Sequence, residues 1–243
     1  MIKKTLTITF IALAFLATLA LTQQWESDQD IEAPRKLPTE PTIIYESMEL
    51  ASTLNKIKDG IVYCYSNNNK TTGFFVSKDG WVLTAGHKVD QDFPETGKIY
   101  IKLSRVEKSA IYESTKIVTP LDGHDIMLFK VDYKPKFYFK KFKSPYLFEE
   151  NWVVGFRGKA DLTVSPAGYI SNHTTRKYMY YTTSSVHYGN SGSPVINRQG
   201  EVLGVAVEAV TNIWDGLIVP GLLAEYYIKQ TLKRVKEERK EKK

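Results

Sequence analysis

From Ile61 to Val219 the chain is a succession of short segments rich in Val, Ile, Tyr, Phe and Thr, each cut off by Gly, Asn, Asp or Pro. Segments of this length and composition suit half-buried strands, and turns this closely spaced join neighbouring strands antiparallel. The clearest are Gly73 to Ser77, Trp81 to Thr84, Lys98 to Leu103, Ile126 to Lys130, Trp152 to Phe156, Tyr178 to Thr182 and Val202 to Val207. Between the first two, Lys78-Asp79-Gly80 carries the Asp-Gly pair of a tight hairpin. Roughly a dozen strands fit, enough for an all-β protein of two six-stranded antiparallel β-barrels.

The flanks follow other rules. From Tyr45 to Asp59, Met48, Ala51, Leu54 and Ile57 recur at helical spacing before Gly60, which predicts a short amphipathic N-terminal helix. After Pro220, Ala224, Ile228, Leu232 and Val235 share one helical face, so the chain is expected to close with a helix whose end, residues 229–243, is a charged tail. Residues 25–44, with Pro34, Pro38 and Pro41, read as an extended linker or propeptide, and 45–228 as the main folded domain. Lys3 and Lys4 precede an apolar run from Leu6 to Leu21, the pattern of an export signal. Residues 1–24 are therefore read as a signal peptide or signal anchor. Thr18-Leu19-Ala20 is a poor small-x-small cleavage site, so secretion and membrane anchoring through residues 6–21 both stay open. Retained, the run would leave Lys3 and Lys4 in the cytoplasm and Glu26, Asp28 and Asp30 on the far side. Either way the body is expected to work outside the cytoplasm, secreted, periplasmic or anchored.

With 243 residues and one cysteine, the chain has enough apolar content for a core and no means of forming an intrachain disulfide. Cys64 lies in the apolar run Ile61 to Tyr65 and reads as a small buried hydrophobe rather than a catalytic thiol. The net charge of +6 resides largely in the basic tail, and no basic motif interleaved with aromatics is present, so no nucleic-acid partner is expected.

Three motifs carry chemistry, in a fixed order. Leu83-Thr84-Ala85-Gly86-His87 is a strand running through small residues into a histidine. His124-Asp125-Ile126-Met127-Leu128-Phe129 places an aspartate at the mouth of a strand, and Gly189-Asn190-Ser191-Gly192-Ser193-Pro194 sets a serine between glycines. A serine hydroxyl is a weak nucleophile and needs an imidazole to take its proton, the role assigned to His87. The imidazole in turn needs a carboxylate on its other nitrogen, the role assigned to Asp125. The backbone N–H groups of Gly189 and Ser191 are placed to meet the oxyanion if the loop folds inward, a conformation glycine permits. This chemistry needs no cofactor and no metal and acts at an acyl carbonyl. A base of this kind predicts activity rising with pH where free imidazole titrates, roughly 6.5.

At these residues the chain resembles the trypsin-like serine peptidase superfamily, with its chymotrypsin-like double barrel, and most closely its bacterial disulfide-free branch related to HtrA and the glutamyl endopeptidases. Gly73-Phe74-Phe75-Val76, Trp152-Val153-Val154-Gly155, Ala167 to Ser171, Gly200 to Val207 and Gly216 to Pro220 extend the likeness from about Leu54 to Tyr227. Ser193 stands where many relatives have a second glycine, although the glutamyl endopeptidase group also has serine there. The resemblance is to the branch without a PDZ domain, and no PDZ-like segment is expected after the final helix. The resemblance implies a specificity pocket formed by Ser185, Val207, Ala209 and Gly216, none charged, which predicts a preference for apolar or medium-sized side chains. The glutamate-selective relatives carry a histidine where Ala206 stands, and Glu208 is placed to favour a basic residue nearby.

The remaining histidines, His124, His173 and His187, read as structural, with His187 near enough to the serine loop to touch substrate. An α/β-hydrolase needs the order serine, acid, histidine on a strand-to-helix elbow, and this chain has the reverse order. A His-Glu-x-x-His metalloprotease helix is absent from the sequence. The alternative that keeps the fold is a degenerate peptidase serving as a peptide-binding scaffold.

Overall fold

The computed structural model describes residues 42–66, 69–87, 98–105, 109–118, 124–174, 178–210 and 215–241; the expected leader and most of the linker lie outside them. Among the described residues no helix is long and apolar enough to cross a membrane. Helix α1 spans Thr42–Ile57 and runs into a 3-10 turn at Lys58–Gly60. It begins three residues before the periodicity predicts, directly after Pro41, whose ring and missing N–H exclude it from a helix interior.

Six strands follow: β1 (Ile61–Ser66), β2 (Asn69–Phe75), β3 (Trp81–Thr84), β4 (Tyr100–Lys102), β5 (Ile111–Val118) and β6 (Met127–Val131). They close in the order β1-β2-β3-β6-β5-β4, all neighbours antiparallel. Successive side chains on a strand face opposite sides. Val62, Cys64, Phe75, Val82, Ile101, Met127 and Phe129 therefore form one cluster drawn from these strands. Their neighbours Ile61, Tyr63, Phe74, Leu83 and Leu128 join a larger cluster with Trp152, Phe156 and Val205 of the second barrel. Burial on both faces explains why β1 and β3 read as continuous apolar runs instead of alternating ones. Cys64 is fully buried, and burial pushes its thiol far above the ordinary value, so it is inert packing. The expected hairpin at Asp79-Gly80 forms, with Gly80 at φ +90° and the Val76 N–H donating to the Trp81 carbonyl at 2.8 Å.

The second barrel comprises β7 (Glu150–Phe156), β8 (Leu162–Val164), β9 (Gly168–His173), β10 (Tyr180–Thr182), β11 (Pro194–Ile196), β12 (Val202–Val210) and β13 (Asp215–Pro220). Six of these close, because β11 pairs with β7 as well as β12; β8 is a seventh strand, attached to β7 alone. The architecture is thus the expected pair of six-stranded antiparallel barrels, the second with an added hairpin arm. Helix α2 (Gly221–Glu241) seals the larger core with Ala224, Tyr227, Ile228 and Val235. Ser193 belongs to the same packing: a Cβ on Gly155 would stand 1.9 Å from the Ser193 Oγ, so the glycine of β7 makes room for the serine.

Candidate active site

His87 lies three residues past the end of β3, and Asp125 two residues before the start of β6, the strand paired with β3. The pairing brings the two together. The His87 Nδ1 lies 2.5 Å from Asp125 Oδ2, and the His87 backbone N–H donates to Oδ1 at 2.6 Å. Both carboxylate oxygens are engaged by one residue, which fixes the ring's position. Gly86 packs beside the pair, a Cβ there standing in ordinary contact with Asp125 Oδ1 at 3.4 Å. Both side chains are half-buried, with 34% and 25% of their surface exposed.

The serine loop is built from backbone contacts. Ser191 is buried, and its carbonyl accepts the Thr72 N–H at 2.9 Å and the Thr71 hydroxyl. The Thr72 hydroxyl donates to the Gly189 carbonyl at 2.8 Å and accepts the Phe156 N–H at 2.9 Å. Gly192 donates to the Ala206 carbonyl at 2.6 Å, so the loop is strapped to β2 on one side and β12 on the other. Gly189 and Gly192 have φ of +97° and +81°, values that L side chains rarely adopt. At Gly192 a Cβ would also meet the Thr72 carbonyl oxygen at 2.1 Å and the Ala85 nitrogen at 2.8 Å. The loop therefore abuts the very end of the strand that delivers His87. No hydrogen bond joins the Ser191 hydroxyl to the His87 ring among the described residues.

Two peptide units of the loop have a defined direction. The Tyr188 carbonyl accepts the Gly158 N–H at 2.9 Å, and the Asn190 carbonyl accepts the Ser193 N–H at 2.9 Å. In a planar trans peptide the N–H points away from its carbonyl. The N–H groups of Gly189 and Ser191 consequently face the other way, and no described residue accepts from them.

Ser185 and Ala209 line a cavity of about 320 Å3 together with Val186, His187, Tyr188, Val210 and Asp215. Val207 is instead buried, and Gly216 lies under Val186, where an added Cβ would meet Val186 Cγ2 at 2.2 Å. Asp215, accepting the Ser171 hydroxyl at 3.0 Å, is a residue that sequence reasoning did not single out. Its neighbour Gly216 was the available signal, because both open β13. His187 borders the cavity, its backbone N–H donating to Asn190 Oδ1 at 3.1 Å. Burial, and then the charge of Arg157, lower its pKa and favour the neutral ring. His173 is exposed on β9, and the His124 ring packs 5.1 Å from that of Tyr227. A second cavity, of about 350 Å3, lies apart from the three motifs, where Ile57, Phe137, Lys56, Lys136 and Gly200 meet.

A double barrel that joins a histidine and an aspartate at its seam and docks a glycine-flanked serine loop beside them defines a class. The chain belongs to the Trypsin-like peptidase domain family, whose profile matches residues 71–205. It is 27% identical over 175 residues to a probable periplasmic serine endoprotease, DegP-like, of Chlamydia pneumoniae, covering 67% of this chain and 34% of that protein. A protein of the same description from Pseudomonas putida is 31% identical over 147 residues, covering 58% of this chain and 29% of the relative. The chain thus spans about a third of the length of the curated relatives it matches. The crystal structure of the serine endoprotease from Yersinia pestis shares the fold, with a TM-score of 0.63 at 20% identity over 82% of this chain and 68% of that one.

Proposed function

We propose that the protein is a serine endopeptidase acting outside the cytoplasm on protein or peptide substrates through an acyl-enzyme. The observation that carries this reading is the two-point hold of Asp125 on His87, at 2.5 and 2.6 Å, beside the docked Ser191 loop. With Nδ1 committed to the carboxylate, Nε2 is the ring nitrogen left for the serine proton. Ser191 Oγ attacks the scissile carbonyl as His87 takes that proton, and Asp125 stabilises the resulting imidazolium. The Gly189 and Ser191 N–H groups donate to the oxygen that becomes negative. His87 then protonates the leaving amine, and a water, deprotonated in the same way, releases the acyl group.

The pocket that receives the side chain before the cut is the cavity bordered by Ser185, Ala209 and Asp215. Asp215 adds a charge that the four residues named from sequence do not carry. It favours a basic or neutral side chain over an acidic one, since an acidic chain would bring a second carboxylate into a confined space. The expected extracytoplasmic setting is supported by the periplasmic description of the Chlamydia relative.

Purified protein is expected to cleave casein and to react covalently with a fluorophosphonate probe, and Ser191→Ala to abolish both. Peptide binding with neither reaction in the wild type would leave the scaffold reading standing in place of the enzyme.

A further inference from the structure

We infer that Arg105, a first-barrel residue outside the three motifs, is a positioning residue for the oxyanion donor Gly189. The inference rests on the proposed function above, in which the Gly189 N–H meets the developing oxyanion.

Arg105 follows β4, and its side chain crosses to the segment Arg157–Asp161, between β7 and β8 of the second barrel. Its Nη1 donates to the Gly158 carbonyl and, at 3.0 Å, to the Ala160 carbonyl. Its own backbone N–H donates to Asp161 Oδ1 at 3.2 Å, and the neighbouring Ser104 hydroxyl donates to Oδ2 at 3.0 Å. The guanidinium carbon sits 4.8 Å from the centroid of the Tyr63 ring, which also neighbours the Phe156 ring at 5.5 Å and the Tyr65 ring at 5.8 Å. A planar guanidinium held on an aromatic face presents its donors in a fixed direction. The first barrel thereby grips a short exposed segment, closed on itself by the Ala160 N–H donating to the Arg157 carbonyl at 2.8 Å: Arg157, Gly158, Lys159, Ala160 and Asp161 are all exposed, and a Cβ on Gly158 would meet nothing within 4 Å.

That segment in turn sets the direction of the Tyr188–Gly189 peptide. The Gly158 N–H donates to the Tyr188 carbonyl, so the Gly189 N–H points to the opposite side, where the oxyanion forms. Gly189 rests directly on the same segment, a Cβ there standing 2.5 Å from the Phe156 carbonyl oxygen and 3.2 Å from the Gly158 nitrogen. Glycine alone does not secure this arrangement, because its backbone is free to adopt others. Arg105 is two hydrogen bonds removed from the catalytic donor, through Gly158 and Tyr188, and touches no reacting atom.

The test compares Arg105→Ala, Arg105→Lys and Asp161→Ala with the wild type, on a fluorogenic peptide taken from a casein site that the wild type cleaves. Arg105→Ala is expected to lower kcat at least about tenfold, the scale of a weakened oxyanion donor, with KM within about twofold. Affinity for the aldehyde of the same peptide, whose hemiacetal oxygen occupies the oxyanion position, is expected to fall by the same factor as kcat. Arg105→Lys keeps a cation without the fork and is expected to fall between the two. A merely structural role would lower the melting temperature without that matched loss. Wild-type kcat and aldehyde affinity in Arg105→Ala, with Ser191→Ala inactive, would overturn the inference and leave the proposed function intact. A wild type that cleaves nothing would overturn both. If Arg105→Ala does not fold, Asp161→Ala, an exposed change that loosens the same segment, decides the matter: a parallel loss of kcat and aldehyde affinity supports the clamp, and unchanged values refute it.

Discussion

His87 and Asp125 stand 38 positions apart in one barrel and are joined side chain to side chain, whereas Ser191 arrives from the other barrel on a loop held almost wholly through its backbone. The acid–base half draws on adjacent strands of a single sheet, β3 and β6, whose register sets the two ends side by side. The nucleophile half draws on residues as far as 120 positions away, Thr71 and Thr72, and on two glycines at positive φ. The first half should therefore fail through loss of a functional group with the fold retained. The second should fail through changes that add atoms or remove backbone partners, with stability and activity falling together.

The sharpest test of this division is Asp125→Asn. An amide keeps the shape but favours the wrong tautomer of the ring, and a loss of about 10^4-fold in kcat is expected with a nearly unchanged melting temperature. A loss below tenfold would remove Asp125 from the orienting role.

Next in size, Gly192→Ala is expected to destabilise by about 3 kcal/mol or more and to abolish activity, because strain at φ +81° adds to a clash with the Thr72 carbonyl. Gly158→Ala is the control. Its φ is also positive, +53°, but the space around it is open, so only the conformational penalty of about 1 kcal/mol remains. Equal midpoints for the two variants in urea denaturation would show that close packing at Gly192 contributes nothing.

Thr72→Val probes the same half without added bulk. The hydroxyl serves as both donor to Gly189 and acceptor from Phe156, and its loss leaves two buried backbone groups unpaired, costing about 2 kcal/mol. Thr72→Ser, which keeps the hydroxyl, should recover most of that stability and of kcat.

The same contrast explains what is legible in the sequence. The three motifs are visible because their chemistry is concentrated in short stretches, and β1, β3 and β7 because burial leaves long apolar runs. Strand β5 is harder to see: Glu113, Ser114, Thr115 and Lys116 lie in its middle, and its burial swings only between exposed and intermediate until Val118. Strands β8 and β11, three residues each, are too short for any periodicity. Thr72, Arg105 and Asp215 gain their roles only through pairings across the fold, which no local pattern encodes. Gly216 illustrates the converse, since its position in the second barrel follows from the resemblance but its burial beneath Val186 depends on side-chain packing.

The smallest effect separates holding the barrel from holding the loop. Glu201 stands between β11 and β12, beyond the serine, and is mostly buried, with 13% of its side chain exposed. It accepts from Lys143 Nζ at 2.6 Å and from Asn197 Nδ2 at 2.9 Å. These two donors, Lys143 first, lower its pKa against the opposing effect of burial. A carboxyl depressed in the folded state contributes stability that is fully present above its unfolded value of roughly 4.3 and is lost as pH falls through the folded value. Glu201→Gln is thus expected to cost about 1 kcal/mol at pH 7, with the gap to wild type narrowing as pH drops below about 4. Because the bridge ties the inter-barrel connection to the start of β12, and Lys143 also donates its backbone N–H to Val202 at 2.9 Å, the variant should melt earlier while kcat stays unchanged. A gap that did not vary with pH would assign the loss to packing, and a fall in kcat would show that the serine loop depends on more of the second barrel than its own backbone straps.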